Sequence, residues 1–138
     1  MTLSVSEITD LIRQGVPLAG ETGFFVEKVD AQGRVWCRQP YRENQLRPGG
    51  TLSGPSMMAL ADAAMYAAVL HRLGRVEMAL TQNFHINFLS RPAPRDLLAA
   101  VDVIKMGRRN AVMEARLYSE GGEDPVAHAT GTYSLPPA

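Results

Sequence analysis

A long apolar stretch, residues 53–70, interrupted by a single charge at Asp62, leaves few folds open to the rest of the chain. Its length is near the lower limit for crossing a bilayer, but a carboxylate at its middle favours a buried helix over a membrane span. Ser53 can cap such a helix, Pro55 fits a first turn where a missing amide hydrogen is harmless, and Gly74 stands where a left-handed stop is expected. A helix is therefore predicted over residues 54–73. Alanines at 59, 61, 63, 64, 67 and 68 give it a narrow waist, so a curved sheet can approach it from several sides.

Strand patterns flank this helix. Residues 24–29 and 34–41 are rich in aromatic and β-branched side chains and read as a hairpin turning at 30–33, after a short amphipathic helix over residues 5–14 closed by Gly15 and Pro17. The polar segment 42–51, with Pro48, Gly49 and Gly50, reads as a loop. Beyond the long helix, Met78, Leu80, Phe84, Ile86 and Phe88 share one parity, while Thr81, Asn83, His85 and Asn87 share the other. This predicts a long strand with the first set facing the core. Three more strands are predicted over 97–106, 111–119 and 126–135, with sequential antiparallel pairing.

No helix recurs between strands to make parallel crossovers. The expected fold is α+β: an antiparallel sheet wrapped around one long central helix, with a short N-terminal helix. A length of 138 residues fits one domain, 1–138. Fourteen basic and fourteen acidic residues cancel, so no net charge draws the chain to nucleic acid or to an anionic membrane. Cys37 is the single cysteine, which excludes an internal disulfide and a cysteine zinc cluster, and the histidines lack metal-ligand spacing. No metal is expected, and a reducing cytoplasm is the expected location.

Asp62 stands out because its helical neighbours Met58, Ala59, Met65 and Tyr66 offer no cation. A carboxylate on a largely buried helix costs free energy unless something compensates it. Desolvation strengthens a carboxylate as a base or nucleophile, suited to activating water or attacking a carbonyl. A wet stripe on the helix, or a hydrogen bond within a subunit interface, accounts for the same residue without catalysis. The start of the same helix supplies a second component, since the free amides near Gly54 and the helix dipole favour developing negative charge.

Four segments carry a resemblance: residues 50–64 through Gly54 and Asp62, residues 81–93 from Thr81 to Ala93, the turn Gly107, Arg108 and Arg109, and residues 126–132. In order and spacing they resemble the phenylacetate-degradation branch of the hot-dog acyl-coenzyme A thioesterases, akin to hydroxybenzoyl-coenzyme A thioesterases. The resemblance covers most of the chain after Phe24. It implies a hot-dog fold and hydrolysis of acyl-coenzyme A to free acid and coenzyme A, with no cofactor beyond the coenzyme A of the substrate. It also implies a homodimer or homotetramer with active sites between protomers.

By the same resemblance Asp62 takes the acidic catalytic position, Gly54 the amide that polarises the thioester carbonyl, and Thr81 a hydroxyl that orients water. Arg47, Ser53 and Pro55 depart from the family's usual Asn and His-Gly-Gly. Asn44, Ser53 and Asn83 are candidates for the missing amide's role, and Met58 for contact with the acyl chain. Arg91, Lys105, Arg108 and Arg109 are expected to meet the phosphates of coenzyme A. Two alternatives remain: a noncatalytic acyl-coenzyme A binding protein, suggested by the missing His-Gly-Gly, and a hydratase using His85.

Overall fold

Ser4 opens the first helix, α1 (Val5–Gly15), with a reciprocal cap: its hydroxyl accepts from the Glu7 amide and the Glu7 carboxylate accepts from the Ser4 amide. The computed structural model describes residues 2–137. Pro17 does not simply end α1 but begins a second helix, α2 (Pro17–Thr22), because its missing N–H and fixed φ suit a first helical position. Gly23, at φ 77°, ends α2 in the left-handed region. The hairpin follows as β1 (Phe25–Val29) and β2 (Val35–Gln39). A short ribbon of β3 (Leu46–Arg47) and β4 (Thr51–Leu52) folds the connecting loop back on itself.

The central helix, α3, runs Gly54–Leu73, with Ser53 as its cap and Gly74 at its end. Ten of its residues are buried, among them Leu60, Ala61, Ala64, Met65 and Leu70. Sinking a leucine or methionine of this kind contributes about 1.5–3 kcal/mol relative to leaving it in water. The remaining strands are β5 (Leu80–Phe88), β6 (Leu97–Met106), β7 (Asn110–Ser119) and β8 (Ala127–Ser134). One six-stranded antiparallel sheet in the order β1-β2-β6-β7-β8-β5 wraps α3.

Two expectations change. Pairing is sequential along β6, β7 and β8, but β5 lies beyond β8 at the sheet edge, and β6 pairs with β2. A bulge at Gln82 also inserts one residue between the pairs Thr81↔Tyr133 and Asn83↔Thr132. An extra residue reverses side-chain parity on one side of it. Thr81 therefore turns toward α3 together with Phe84 and Ile86, whereas Leu80 is 59% exposed and Met78, just before the strand, 77%.

Close seating of α3 on the sheet needs a glycine on β8. A β-carbon at Gly131 would lie 2.6 Å from the Met65 sulfur, which is fully buried. No helix among the described residues is long and apolar enough to cross a membrane.

Candidate active site

Asp62 lies half-buried near the middle of α3. Its Oδ1 accepts hydrogen bonds from Thr81 Oγ1 at 2.8 Å and from Tyr133 Oη at 2.7 Å. The Tyr133 hydroxyl also lies 2.9 Å from the Asp62 carbonyl oxygen, so its one proton is shared between two acceptors on the same residue. Cross-strand register brings these donors together, because Thr81 of β5 stands opposite Tyr133 of β8. Tyr66, one helical turn beyond Asp62, stacks on the Tyr133 ring at 6.0 Å and donates its own hydroxyl to the Glu77 carbonyl.

Burial, reinforced by the Asp62 charge, pushes the Tyr133 phenol well above the usual tyrosine range. It is therefore a permanent donor at physiological pH. Among the described residues no cation lies within salt-bridge distance of Asp62. With both donors on Oδ1, Oδ2 remains available for chemistry.

Two hollows meet at Asp62. One, of about 110 Å³, is roofed by α1 and α2 and walled by Phe24, Gln39, Ala63 and Tyr133. The other, about 430 Å³ and wide open, is bordered by Pro55, Met58 and Phe84. Leu18, Ala59 and Asp62 border both hollows.

Gly54 occupies the first position of α3, ahead of the first internal bond from the Met57 amide to the Ser53 carbonyl. Its N–H is thus one of the orphan donors of a helix start. Phe88 lies over it, with a ring carbon 3.3 Å from where a β-carbon would stand. Asp62 lies eight positions after Gly54, an axial distance of roughly 12 Å at about 1.5 Å per residue. Within one chain the amide and the carboxylate do not face one carbonyl group.

The other predicted residues fall into three places. Arg47 and Arg91 border the hollow that holds Gly54 and Phe88. Asn44 and Ser53 share a neighbouring hollow with Ser56, and Ser53 is occupied as the helix cap, accepting from the Ser56 amide at 3.3 Å. Arg108 and Arg109 lie at the opposite end of α3, around a hollow with Leu73 and Pro136. The twenty residues of α3 span about 30 Å, so the basic residues of one chain do not form one cluster. Lys105 is exposed on β6, and Asn83 is exposed beside the bulge of β5. His85 is also exposed, on the parity opposite to Phe84 and Ile86, and does not approach Asp62.

Sequence reasoning missed Tyr133 and Gln39. A signal existed for the first: a tyrosine on the inward parity of a strand needs a partner for its hydroxyl, and a buried carboxylate needs a donor. Matching the two requires the register of β5 against β8. Gln39 sits at the inward position that follows Val35 and Cys37 on β2, where the alternation calls for an apolar residue.

An antiparallel sheet curled around a single long helix defines the hot-dog class. The family model of the thioesterase superfamily matches residues 49–126. A candidate thioesterase from a Silicibacter species is 40% identical over 98% of this chain and 93% of that one, with a TM-score of 0.85. The chain belongs to the thioesterase superfamily, and thioester hydrolysis is the general chemistry which that membership supports.

More distant structures share the fold. A thioesterase from Haemophilus influenzae has 17% identity and a TM-score of 0.86, covering 99% of this chain and 93% of that one. A mutant phenylacetic acid degradation protein from Thermus thermophilus has 24% identity and a TM-score of 0.72, covering 86% and 97%. Comparison with curated proteins finds no match.

Proposed function

We propose that this protein hydrolyses acyl-coenzyme A thioesters, with Asp62 as the reacting carboxylate and the Gly54 amide as the oxyanion donor. The observation that carries the reading is the state of Asp62: Oδ1 is held by two hydroxyls, while Oδ2 is left unpaired where two hollows meet. A carboxylate fixed in this way is oriented for attack without being neutralised by a cation.

In the base route Oδ2 takes a proton from water as the oxygen bonds to the thioester carbon. In the nucleophilic route Oδ2 itself forms the bond, and water then cleaves the anhydride. Either route places negative charge on the former carbonyl oxygen, where a helix-start amide is stabilising; collapse of that intermediate expels the coenzyme A thiolate, giving the free acid directly in the base route and, in the nucleophilic route, the Asp62 anhydride that water then cleaves. Thr81 orients the carboxylate and, by its position, the water.

The spacing of roughly 12 Å between Gly54 and Asp62 supports a site shared by two copies. An antiparallel approach of two α3 helices across a two-fold axis would set each Gly54 against the other copy's Asp62. The open edge of β5, nine residues long, beginning with exposed Leu80 and preceded by exposed Met78, supports that approach. A homodimer, or a tetramer built from it, is therefore part of the proposal. Arg47 and Arg91 take the phosphates nearest Gly54, and Arg108, Arg109 and Lys105 are proposed as outlying contacts. Such a substrate and a buried free thiol at Cys37 both suit a reducing cytoplasm.

The test is thiol release from a panel of acyl-coenzyme A esters by wild type and Asp62→Ala. Loss of about a thousandfold or more in turnover, with fold and oligomer retained, is expected for a reacting group. Equal turnover by the two proteins sinks the mechanism. Tight binding of the esters by wild type without any thiol release would instead favour the binding-protein reading that Arg47 and Pro55 suggest.

A further inference from the structure

The hollow beneath α1 and α2 has Asp62 in its floor, on α3, beside Ala59, Ala63 and Tyr66. Its roof is built from apolar side chains: Ile12 of α1, Val16 at the junction of the two helices, Leu18 and Ala19 of α2, and Phe24. Thr22 also lines it, with its hydroxyl already donated to the Ala19 carbonyl at 3.1 Å. A thioester held at Asp62 with its acyl end in this hollow therefore sets a hydrocarbon roof over that end.

Charge on the acyl end is disfavoured for two reasons. No cationic side chain lines the hollow, so an anionic end would meet the Asp62 carboxylate with nothing to balance either. A cationic end set against the roof would lose its hydration to apolar side chains.

Size sets a further limit. The hollow has a volume of about 110 Å³, against the ~150 Å³ that accommodates a six-carbon benzene ring in an engineered apolar cavity, so by proportion it holds about four carbons. The roof is pinned in place. Ile8 and Ile12 are fully buried, and Thr9 Oγ1 accepts from the Val26 amide at 2.9 Å. Arg13 of α1 donates to the Phe24 and Gly23 carbonyls at 2.7 and 2.9 Å, and Arg42 donates to the Thr22 carbonyl at 3.3 Å. A longer chain cannot lift α2 without breaking such bonds. The roof residues precede the stretch 49–126 matched by the superfamily model, so membership of the superfamily leaves the size of this hollow open.

We propose that this hollow takes the acyl end of the substrate and, with Leu18 as the closing side chain of its roof, restricts hydrolysis to short, uncharged aliphatic acyl groups of up to about four carbons beyond the thioester carbonyl. The inference rests on the thioesterase reading. Leu18 is 56% exposed and borders both this hollow and the open one, so it marks where the roofed space ends. Each methylene that fits gains about fourfold from leaving water. A chain or ring too large for the roof must turn out past Leu18 and forfeits that gain.

The experiment measures kcat/KM for acetyl-, butyryl-, octanoyl-, malonyl- and benzoyl-coenzyme A with wild type, Leu18→Ala and Ala63→Val. Ratios between esters are taken within each protein, so they do not depend on how much of a variant is folded. Wild type is expected to favour butyryl over octanoyl, malonyl and benzoyl esters by about tenfold or more. Leu18→Ala opens the roof and should cut the butyryl-to-octanoyl ratio by about fivefold or more. Ala63→Val fills the floor and should move the optimum from butyryl to acetyl. If that variant does not fold, Ala59→Val narrows the same hollow from one helical turn earlier.

A wild type that hydrolyses octanoyl, malonyl or benzoyl esters as well as butyryl overturns the proposal and leaves the thioesterase reading standing. So does a butyryl-to-octanoyl ratio that Leu18→Ala leaves unmoved, or an optimum that narrowing the floor does not shorten. Absence of thiol release from every ester overturns the thioesterase reading itself and this inference with it.

Discussion

A hydroxyl pair on a single carboxylate oxygen makes Asp62 a directional group. Thr81 and Tyr133 both donate to Oδ1, and each loses its purpose if the other lets the carboxylate rotate. On the proposed mechanism Tyr133→Phe should therefore lower kcat about tenfold, with a smaller change in KM, because the lost bond orients the carboxylate proposed to react rather than the ground-state substrate. Thr81→Val should have a similar effect. Steady-state kinetics on the two single variants and the double variant should show clear non-additivity, since both side chains hold one oxygen. Purely additive effects would mean that the two hydroxyls act separately and that the carboxylate needs no joint anchor.

At the scale of elements, the contact between α3 and β8 depends on the absence of one side chain. Met65 fills the space above Gly131, is fully buried, and has little room to withdraw. Gly131→Ala should destabilise the protein by about 1–3 kcal/mol through overpacking, measurable as a lower urea midpoint. An unchanged midpoint would show that the helix can lift without loss. The bulge at Gln82 works in the same layer, because without it Thr81 would point away from α3 and Asp62 would keep only the tyrosine.

The whole molecule adds two predictions. If the edge of β5 is the contact between copies, a charge on the exposed apolar residues beside it should weaken association. Leu80→Lys should shift the protein toward monomer in sedimentation and, if the proposed site is shared by Gly54 of one copy and Asp62 of the other, reduce turnover in parallel. Full activity in a monomer would refute the shared site.

The second prediction concerns alkaline stability. Burial, helped by nearby Glu27, pushes the Cys37 thiol well above its ordinary range, and burial does the same for the Tyr133 phenol. Each folded-state pKa is raised, so its stabilising contribution is complete below the unfolded value and is lost as pH climbs toward the folded one. Thermal midpoints should therefore decline from about pH 8.5, where an unfolded thiol ionises, and more steeply from about pH 10, where an unfolded phenol does. Cys37→Ala should flatten the first part of that decline; an unaltered slope would assign it to other groups.

Local chemistry written along the chain determined the long elements, though not α2 or the β3–β4 ribbon. Ser53, Pro55 and Gly74 fixed both ends of α3, and alternation marked β6 and most of β7 and β8, because caps and side-chain periods act over a few residues. Asp62 was visible for the same reason, as a charge without a neighbour able to balance it. Only the tertiary structure decided that β5 lies at the edge, that a bulge turns Thr81 inward, and that Tyr133 meets Asp62 from seventy-one residues away. The cavity under α1 and α2 and the unpaired oxygen of Gln39 belong to the same group. Register, cavity shape and hydrogen-bond satisfaction are sums over distant segments, and no local pattern carries them.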